Sequence, residues 1–375
     1  MNDEYSDREQ TRIKHFALRK YLEAATRIIG SSWKGFSYVD CCAGPWESRS
    51  LDFSDTSFGI AVKVLKESKE WLHGQNKSPK FKALLIERSA GPYKRLAAFA
   101  ESASDGNVQV GARNWDFRER TSEIISFVTS QPSFAFIFVD PKGWTQAEID
   151  ALEPLLRINP GEVLINLMSY HILRFLHDDA TNMEKILGSD YREIRSLSHE
   201  EIEDEVVKRY CDSIRRQGGF RYVCSLPVMK PDQDAINFFL IYGTRNAKGV
   251  EVFKQVERQT ERETEVVRAK LQQDKRPILD LFSSDVLYKR EERYRKLSAR
   301  SKSNAKKALD LLISERGSVP YEDCWAEALQ FPTVYESDLR EWLKAREDAG
   351  SIRVDGRIRP IEVLKRKSGH VIVGQ

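Results

Sequence analysis

The sequence predicts an α/β fold: a mostly parallel sheet with an antiparallel pair of strands at one edge, followed by a small C-terminal unit of helices and a β-ribbon. Three observations carry this prediction. Short apolar runs recur with little alternation, as in strands buried on both faces: Phe36–Val39, Phe81–Ile86, Val108–Ala112, Phe134–Val139 and Glu162–Leu167. Stretches of helical spacing separate these runs, which is the βαβ pattern of a parallel sheet. The 375 residues are 41% hydrophobic and 31% charged, enough for two or three domains with real cores and unlike a disordered chain.

Taken in order, residues 9–29 form an amphipathic helix. Ile13, Phe16, Ala17, Tyr21 and Ala24 make its apolar stripe, and Arg12, Lys14, His15, Arg19 and Lys20 its polar face. Helices are expected at 57–69, 93–102, 119–129, 145–158 and 169–177, between and after the five strands, with a mostly helical stretch at 181–217. Phe220–Val228 and Ala235–Thr244 then follow one another without a helix, so they pair antiparallel at one edge. Residues 247–300 are helix-rich and charged, with a break expected at Pro277. Three helices (Ala305–Ser314, Tyr321–Leu329, Thr333–Glu347) and a ribbon built from 350–356, Pro360–Lys365 and His370–Val373 follow the plan of a winged helix-turn-helix. The expected divisions are 1–245, 246–302 and 303–375.

Five scattered cysteines without a CxxC pair argue against a disulfide framework or a zinc site, so no metal is expected and a reducing cytoplasm is the simplest setting. No apolar run approaches the ~18 residues of a membrane span, and no membrane partner is expected. The charged N-terminus lacks the apolar core of a secretory signal. Leu287–Lys307 holds nine Lys/Arg against Glu291 and Glu292. That surplus makes nucleic acid the first candidate partner, against the alternative of a solvated helix face.

The chemistry-bearing positions lie where strands end. Asp40-Cys-Cys-Ala43-Gly44-Pro45-Trp46 follows the first strand, where ligands of open α/β sheets bind and where a glycine lets backbone approach them. Glu87 ends the second strand and can accept from both hydroxyls of a ribose; Asp116, past the third, can accept from an adenine amine. Three acids in register suit a nucleoside without phosphates, and S-adenosylmethionine, with its positive sulfonium, suits an acidic pocket. The alternative is that these acids only cap helices. The fourth strand ends in Asp140-Pro141-Lys142-Gly143-Trp144. Asp140 can hold an exocyclic amine, Pro141 stiffens the turn and Trp144 can stack a flipped base. Lys142 either meets a phosphate or pairs with Asp140. Past the fifth strand, Asn166, Tyr170, His171 and Arg174 share the same edge, with Tyr170 placed to stack and Arg174 to reach a phosphate. A Mg²⁺ nuclease using Asp116 and Asp140-x-Lys142 is a third outline. No GxSxG elbow and no GxxxxGK[ST] loop is present.

Val39-Asp-Cys-Cys-Ala-Gly-Pro45 resembles the D-x-F-A-G-P-G motif of the three-Cys-motif partner (TcmP) family. Gln10–Tyr21 is similar to that family's T-x-x-K-H-x-x-L-x-x-Y-L helix, Ser57–Ala61 to its G-S-P-x-x-A-L helix start, and Phe138–Trp144 to its D-P-F/K-G-W block. Cys42 stands where the family motif has an aromatic, and Trp46 where it has a second glycine. The resemblance covers residues ~10–270 and implies a Rossmann-like class I methyltransferase fold, a bacterial protein, and a partner protein with three clustered cysteines of radical-SAM type. The Asp-Pro-x-Gly run also resembles that of tRNA guanosine N2-methyltransferases, which implies a purine amine as substrate. The resulting expectation is S-adenosylmethionine-dependent methyl transfer to a base amine, with Asp40, Ala43, Gly44, Glu87 and Asp116 at the cofactor, Asp140, Pro141 and Trp144 at the reacting amine, and Lys142, Tyr170 and Arg174 on the nucleic acid. The alternative, favoured by Trp46 and Lys142, is a non-catalytic adaptor of the same fold in a defence or modification system. A second copy of the chain is a further candidate partner.

Overall fold

The computed structural model describes residues 5, 8–44, 48–141, 149–176, 181–188, 190–275, 292–357 and 363–375. Helix α1 (Glu9–Gly30) leads into strand β1 (Gly35–Asp40). Then come α2 (Ser57–Gly74), β2 (Lys80–Ile86), α3 (Ala90–Ala103), β3 (Val108–Arg113), α4 (Thr121–Thr129), β4 (Phe134–Val139), α5 (Ile149–Leu156) and β5 (Gly161–Leu167). Helices α6 (Ser169–Phe175), α7 (Thr181–Leu187) and α8 (His199–Gly218) precede β6 (Tyr222–Met229) and β7 (Ile236–Thr244). The seven strands form one mixed sheet in the order β3-β2-β1-β4-β5-β7-β6. β1 to β5 are parallel, and β7 runs antiparallel to both β5 and β6. The strand order reverses between β1 and β4, the crevice where open α/β sheets take ligands.

The alternation hidden in the apolar runs appears as two cores. Phe36 and Tyr38 of β1, with Phe136 and Phe138 of β4, pack under α1 and α2. Val39, Ile137 and Val139 pack on the opposite face with α4, α5 and α8. Each of the fully buried aromatics contributes roughly 1.5–3 kcal/mol over an exposed position. Tyr21 of α1 stacks on Phe136 at 5.1 Å between ring centroids. Its hydroxyl also reaches the buried Glu162 carboxylate, which accepts from Thr244 Oγ1 at 2.8 Å. Burial raises the Glu162 carboxyl against these bonds. This knot ties α1, β5 and β7 together at the sheet's amino end.

Helix α9 (Ala247–Lys275) lies against α1. Residues 276–291, with Pro277, fall outside the described set. Helix α10 (Glu292–Arg316) runs unbroken across positions 302 and 303, because neither glycine nor proline interrupts it before Gly317, which turns the chain at φ +67°. The C-terminal unit continues with β8 (Ser318–Pro320), α11 (Tyr321–Ala328), α12 (Glu336–Asp348), β9 (Ile352–Asp355) and β10 (Val371–Gly374). Its sheet, in the order β8-β10-β9, is antiparallel. The sequence reading missed β8. Residues 360–362 of the expected Pro360–Lys365 strand lie outside the described set, and 363–365 are not strand.

This unit sits on the edge of the main sheet. Gln330 Oε1 accepts from the Val223 N–H of edge strand β6 at 3.2 Å and from Arg215 at 3.0 Å. An exposed edge strand is a template for aggregation, and this contact covers part of it. Glu257 of α9 accepts the Thr333 N–H at 2.8 Å, and Lys254 donates to Phe331 O at 3.1 Å.

Candidate functional site

The carboxyl ends of β1, β2 and β4 and the turn past β3 all carry acids, and α1 lays its first turns over the β1 and β4 ends. Asp40 closes β1 and is fully buried. Its carboxylate accepts from Cys42 N–H at 3.1 Å, Ser57 Oγ at 2.7 Å and Tyr38 OH at 3.1 Å. Burial pushes its pKa up to about 6 despite those bonds, with the Asp140 charge adding to the rise. The chain beyond it stays in the sheet: Cys41 N–H bonds Phe138 O at 2.9 Å and Ala43 N–H bonds Ile86 O at 2.8 Å. Ala43 is therefore buried and Gly44 half-buried at the reversal. Pro45 and Trp46 lie outside the described residues.

Residues 48–56 return over the start of α2. Asp55 gathers Ser48 Oγ at 2.6 Å, Arg49 N–H at 2.8 Å and Arg8 Nη2 at 2.6 Å. Thr56 caps α2 by accepting the Gly59 N–H at 3.1 Å. Gly59 is required here: a Cβ would lie 2.0 Å from the Phe53 carbonyl oxygen.

Glu87 follows β2, is buried, and accepts the Ser89 N–H at 2.5 Å. Its second carboxylate oxygen has no hydrogen-bond partner among the described residues. Asn114 ties the β2 and β3 tips by donating to the carbonyls of Glu87 at 2.8 Å and Arg88 at 2.9 Å. Asp116, past β3, is chelated by Arg118 through Nε at 2.9 Å and Nη2 at 2.6 Å. The Arg118 bond holds its carboxyl below the ordinary range, against burial.

Asp140 follows β4. Lys14 of α1 bonds its Oδ2, and Asn166 Nδ2 of β5 donates to its Oδ1 at 2.7 Å. Burial alone would raise this carboxyl, but the Lys14 charge and the two bonds hold it below the ordinary range. So a lysine does pair with Asp140, and it comes from the first helix. Beside it, His15 is buried with Tyr5 OH 3.1 Å from Nδ1. Burial, with Lys14 adding, lowers its pKa to about 3, so it is neutral near neutral pH. Pro141 is buried. Lys142 and Trp144 lie outside the described residues. Tyr170 and Arg174 are exposed on α6, one turn apart, with Tyr170 OH 3.9 Å from Met168 Sδ.

The structure thus brings Asp40, Ala43, Gly44, Glu87, Asp140 and Pro141 to one sheet edge, with Asp116 at its far end and Tyr170 and Arg174 on the flanking helix. Asp116 and Asp140 stand three strand positions apart, roughly 14 Å at ~4.8 Å per strand. That separation is too great for one metal pair, and no cluster of metal-ligating side chains occurs among the described residues. Sequence reasoning missed Arg8, Asp55 and Ser57, and read Lys14 and His15 only as a basic helix face. The Lys-His pair inside the Gln10–Tyr21 block was the signal that could have placed them.

Part of the basic run near 287–307 is engaged within the molecule. Arg293 pairs with Glu203 at 2.6 Å and Asp204 at 3.1 Å, and Arg300 with Glu200 at 3.2 Å and with Asp204. Lys296 pairs with Glu292 at 3.0 Å, and Lys302 with Asp338 at 2.8 Å. Lys289 and Arg290 lie outside the described residues. A cleft of about 760 Å³ separates α8 and β6 from α10 and the chain after α11, lined by acids and bases in balance; none of the strand-end carboxylates lines it.

No helix among the described residues is long and apolar enough to cross a membrane. No family model matches the chain, and no curated protein matches it. Among solved structures, a Legionella pneumophila protein of the family model DUF519 is 11% identical, with a TM-score of 0.38 over 66% of this chain and 90% of its own. Loganic acid methyltransferase, solved with SAH, is 12% identical, with a TM-score of 0.32 over 73% of this chain and 92% of its own.

Proposed function

We propose that this chain is an S-adenosylmethionine-dependent methyltransferase acting on an exocyclic amine of a nucleic-acid base. The observation that carries the reading is the row of carboxylates at the reversal point of a mostly parallel sheet, two of which, Asp40 and Glu87, have no cation partner among the described residues. Buried carboxylates left without a cation fit a cationic, phosphate-free nucleoside better than a nucleotide. When bound, the cofactor supplies a methyl group on a sulfonium.

Glu87 would hold the ribose hydroxyls through its second oxygen. Ala43 and Gly44 would admit the methionine end, with Asp40 fixing that loop through Cys42 N–H. A carboxylate offers about four acceptor positions, so Asp116 can take an adenine amine beside Arg118. Asp140 and Pro141 would shape the amine's place, with Trp144 stacking the base and Lys142, Tyr170 and Arg174 on the nucleic-acid strand. The C-terminal unit would serve as a winged helix. Membership of the TcmP family and a radical-SAM-type partner protein belong to the same reading, supported by the four matched sequence blocks, as does a cytoplasmic setting, supported by the scattered cysteines.

A second reading has its own observation. Lys14 neutralises Asp140 and Arg118 chelates Asp116, as in a fold kept for binding alone; this is the adaptor alternative. Calorimetric titration of the full chain with S-adenosylmethionine decides between them. The expected result is a Kd on the order of micromolar, weakened at least about tenfold by Glu87→Gln. A folded protein that binds none would leave the adaptor.

A further inference from the structure

Asp140 looks like the natural acceptor for a substrate amine, but each of its oxygens already takes one bond, so part of its acceptor capacity is spent. Oδ2 meets Lys14, and Oδ1 accepts from Asn166 at 2.7 Å. Asn166 is 1% exposed, and its Oδ1 is buried without a hydrogen-bond partner among the described residues. The amide cannot be turned over to relieve this, because its oxygen would then face the Asp140 carboxylate. Register places it at the tip: Val139 pairs with Ile165, so Asn166 stands beside Asp140, level with Leu240 of β7. By alternation Asn166 shares the sheet face of Leu164, Phe138 and Phe136, the face that α1 covers. Buried amide oxygens nearly always have partners; one left open a strand away from the reversal point is a place kept for a donor.

Resting on the methyltransferase reading above, we infer that Asn166 Oδ1 is the acceptor for an N–H of the substrate's exocyclic base amine, and that Asp140, clamped by Lys14, acts as a positioning residue that fixes the orientation of the Asn166 amide. The shared chemistry is the amine itself, from adenine, cytosine or guanine.

The probes are fluorescein-labelled single-stranded dodecamers of uridine with one central adenosine, cytidine or guanosine, or the same nucleoside dimethylated on its exocyclic nitrogen, made as RNA and as DNA. Anisotropy titrations use the full chain with S-adenosylhomocysteine present. The wild type should bind one amine-bearing oligomer at least about fivefold tighter than its dimethylated twin, a difference that one hydrogen bond to a buried acceptor provides. Asn166→Leu should bring the pair within about twofold. Asn166→Asp keeps the shape and an acceptor but sets two carboxylates side by side, so one must be protonated. Its preference should return only at acidic pH, whereas that of the wild type stays level. The titratable groups around its partner Asp140 are Lys14 and His15 from α1, and Tyr38, Asp40 and Cys42 from β1 and its tip. In Lys14→Met, which frees Asp140 to take up a proton, the preference should fall away as the pH drops, over a range where that of the wild type stays level. No amine preference in the wild type, or a preference that survives Asn166→Leu, overturns the inference. Titration with S-adenosylmethionine on the same samples separates the failures: binding without amine preference removes this inference alone, and no binding removes the reading beneath it.

Discussion

Charge is used differently at the sheet's carboxyl edge and at the seam between α8 and α10. At the seam, cations meet carboxylates two for one: Arg293 spans Glu203 and Asp204, and Arg300 spans Asp204 and Glu200. At the carboxyl edge carboxylates predominate. Lys14 serves Asp140 alone, Asp40 leans on hydroxyls and one N–H, and Glu87 on one N–H. The seam holds two parts of the chain together by pairing charge, and the edge leaves negative charge in place at some expense of stability. That is the contrast expected between a structural contact and the binding site proposed above.

Removing charge in each region sharpens the contrast. The largest effect belongs to the seam. Arg293→Ala strands Glu203, whose Oε1 also takes Ser169 Oγ at 2.8 Å, and should lower stability by about 3 kcal/mol in chemical denaturation. A loss below ~1 kcal/mol would mean the pair is solvated and the seam loose. Lys14→Met strands Asp140 at the edge and should cost about 2 kcal/mol, less because Asn166 Nδ2 still supports the carboxylate.

Asp40 should behave with the opposite sign. Its folded pKa of about 6 lies above the ordinary 3.8. The contribution of Asp40 therefore favours folding below pH ~3.8 and is lost as pH rises through about 6. Asp40→Asn should flatten that segment, gaining roughly 2 kcal/mol on the wild type between pH 4 and pH 7. Parallel stability curves for the two proteins would show that Asp40 is solvated or finds a cation. The smallest effect is expected where charge is paired on the surface: Lys302→Ala, facing Asp338 at 2.8 Å, should change stability by under ~0.5 kcal/mol and only at low salt.

Much of the fold was legible. Phe134–Val139 is a strand at the residues its apolar run marks, and β6 and β7 are the antiparallel edge pair implied by two runs without a helix between them. The strand-end acids were legible for the same reason, since a buried run must end where polar residues begin. β8 was not, because three residues with one buried valine carry no period. The pairing of Asp140 was not either. Lysine at 14 and aspartate at 140 share no local pattern, and their meeting depends on how α1 crosses the sheet. The pairing of Arg293 and Arg300 was not legible either, because their acids lie far upstream on α8 and are brought to them only by folding.

Alternation of apolar and polar residues, loop chemistry and helix stops are local, so the chain by itself determined its elements, their order, the parallel sheet and the acids at its carboxyl edge. Which of those acids keep their charge open was settled only by tertiary structure. A carboxylate's state depends on burial and on the cation or donor folded against it: Lys14 for Asp140, Arg118 for Asp116, and, among the described residues, only hydroxyls and an N–H for Asp40. The single unpaired oxygen of Asn166 follows from the same cause, since an amide's partners are set by the strands and helix around it.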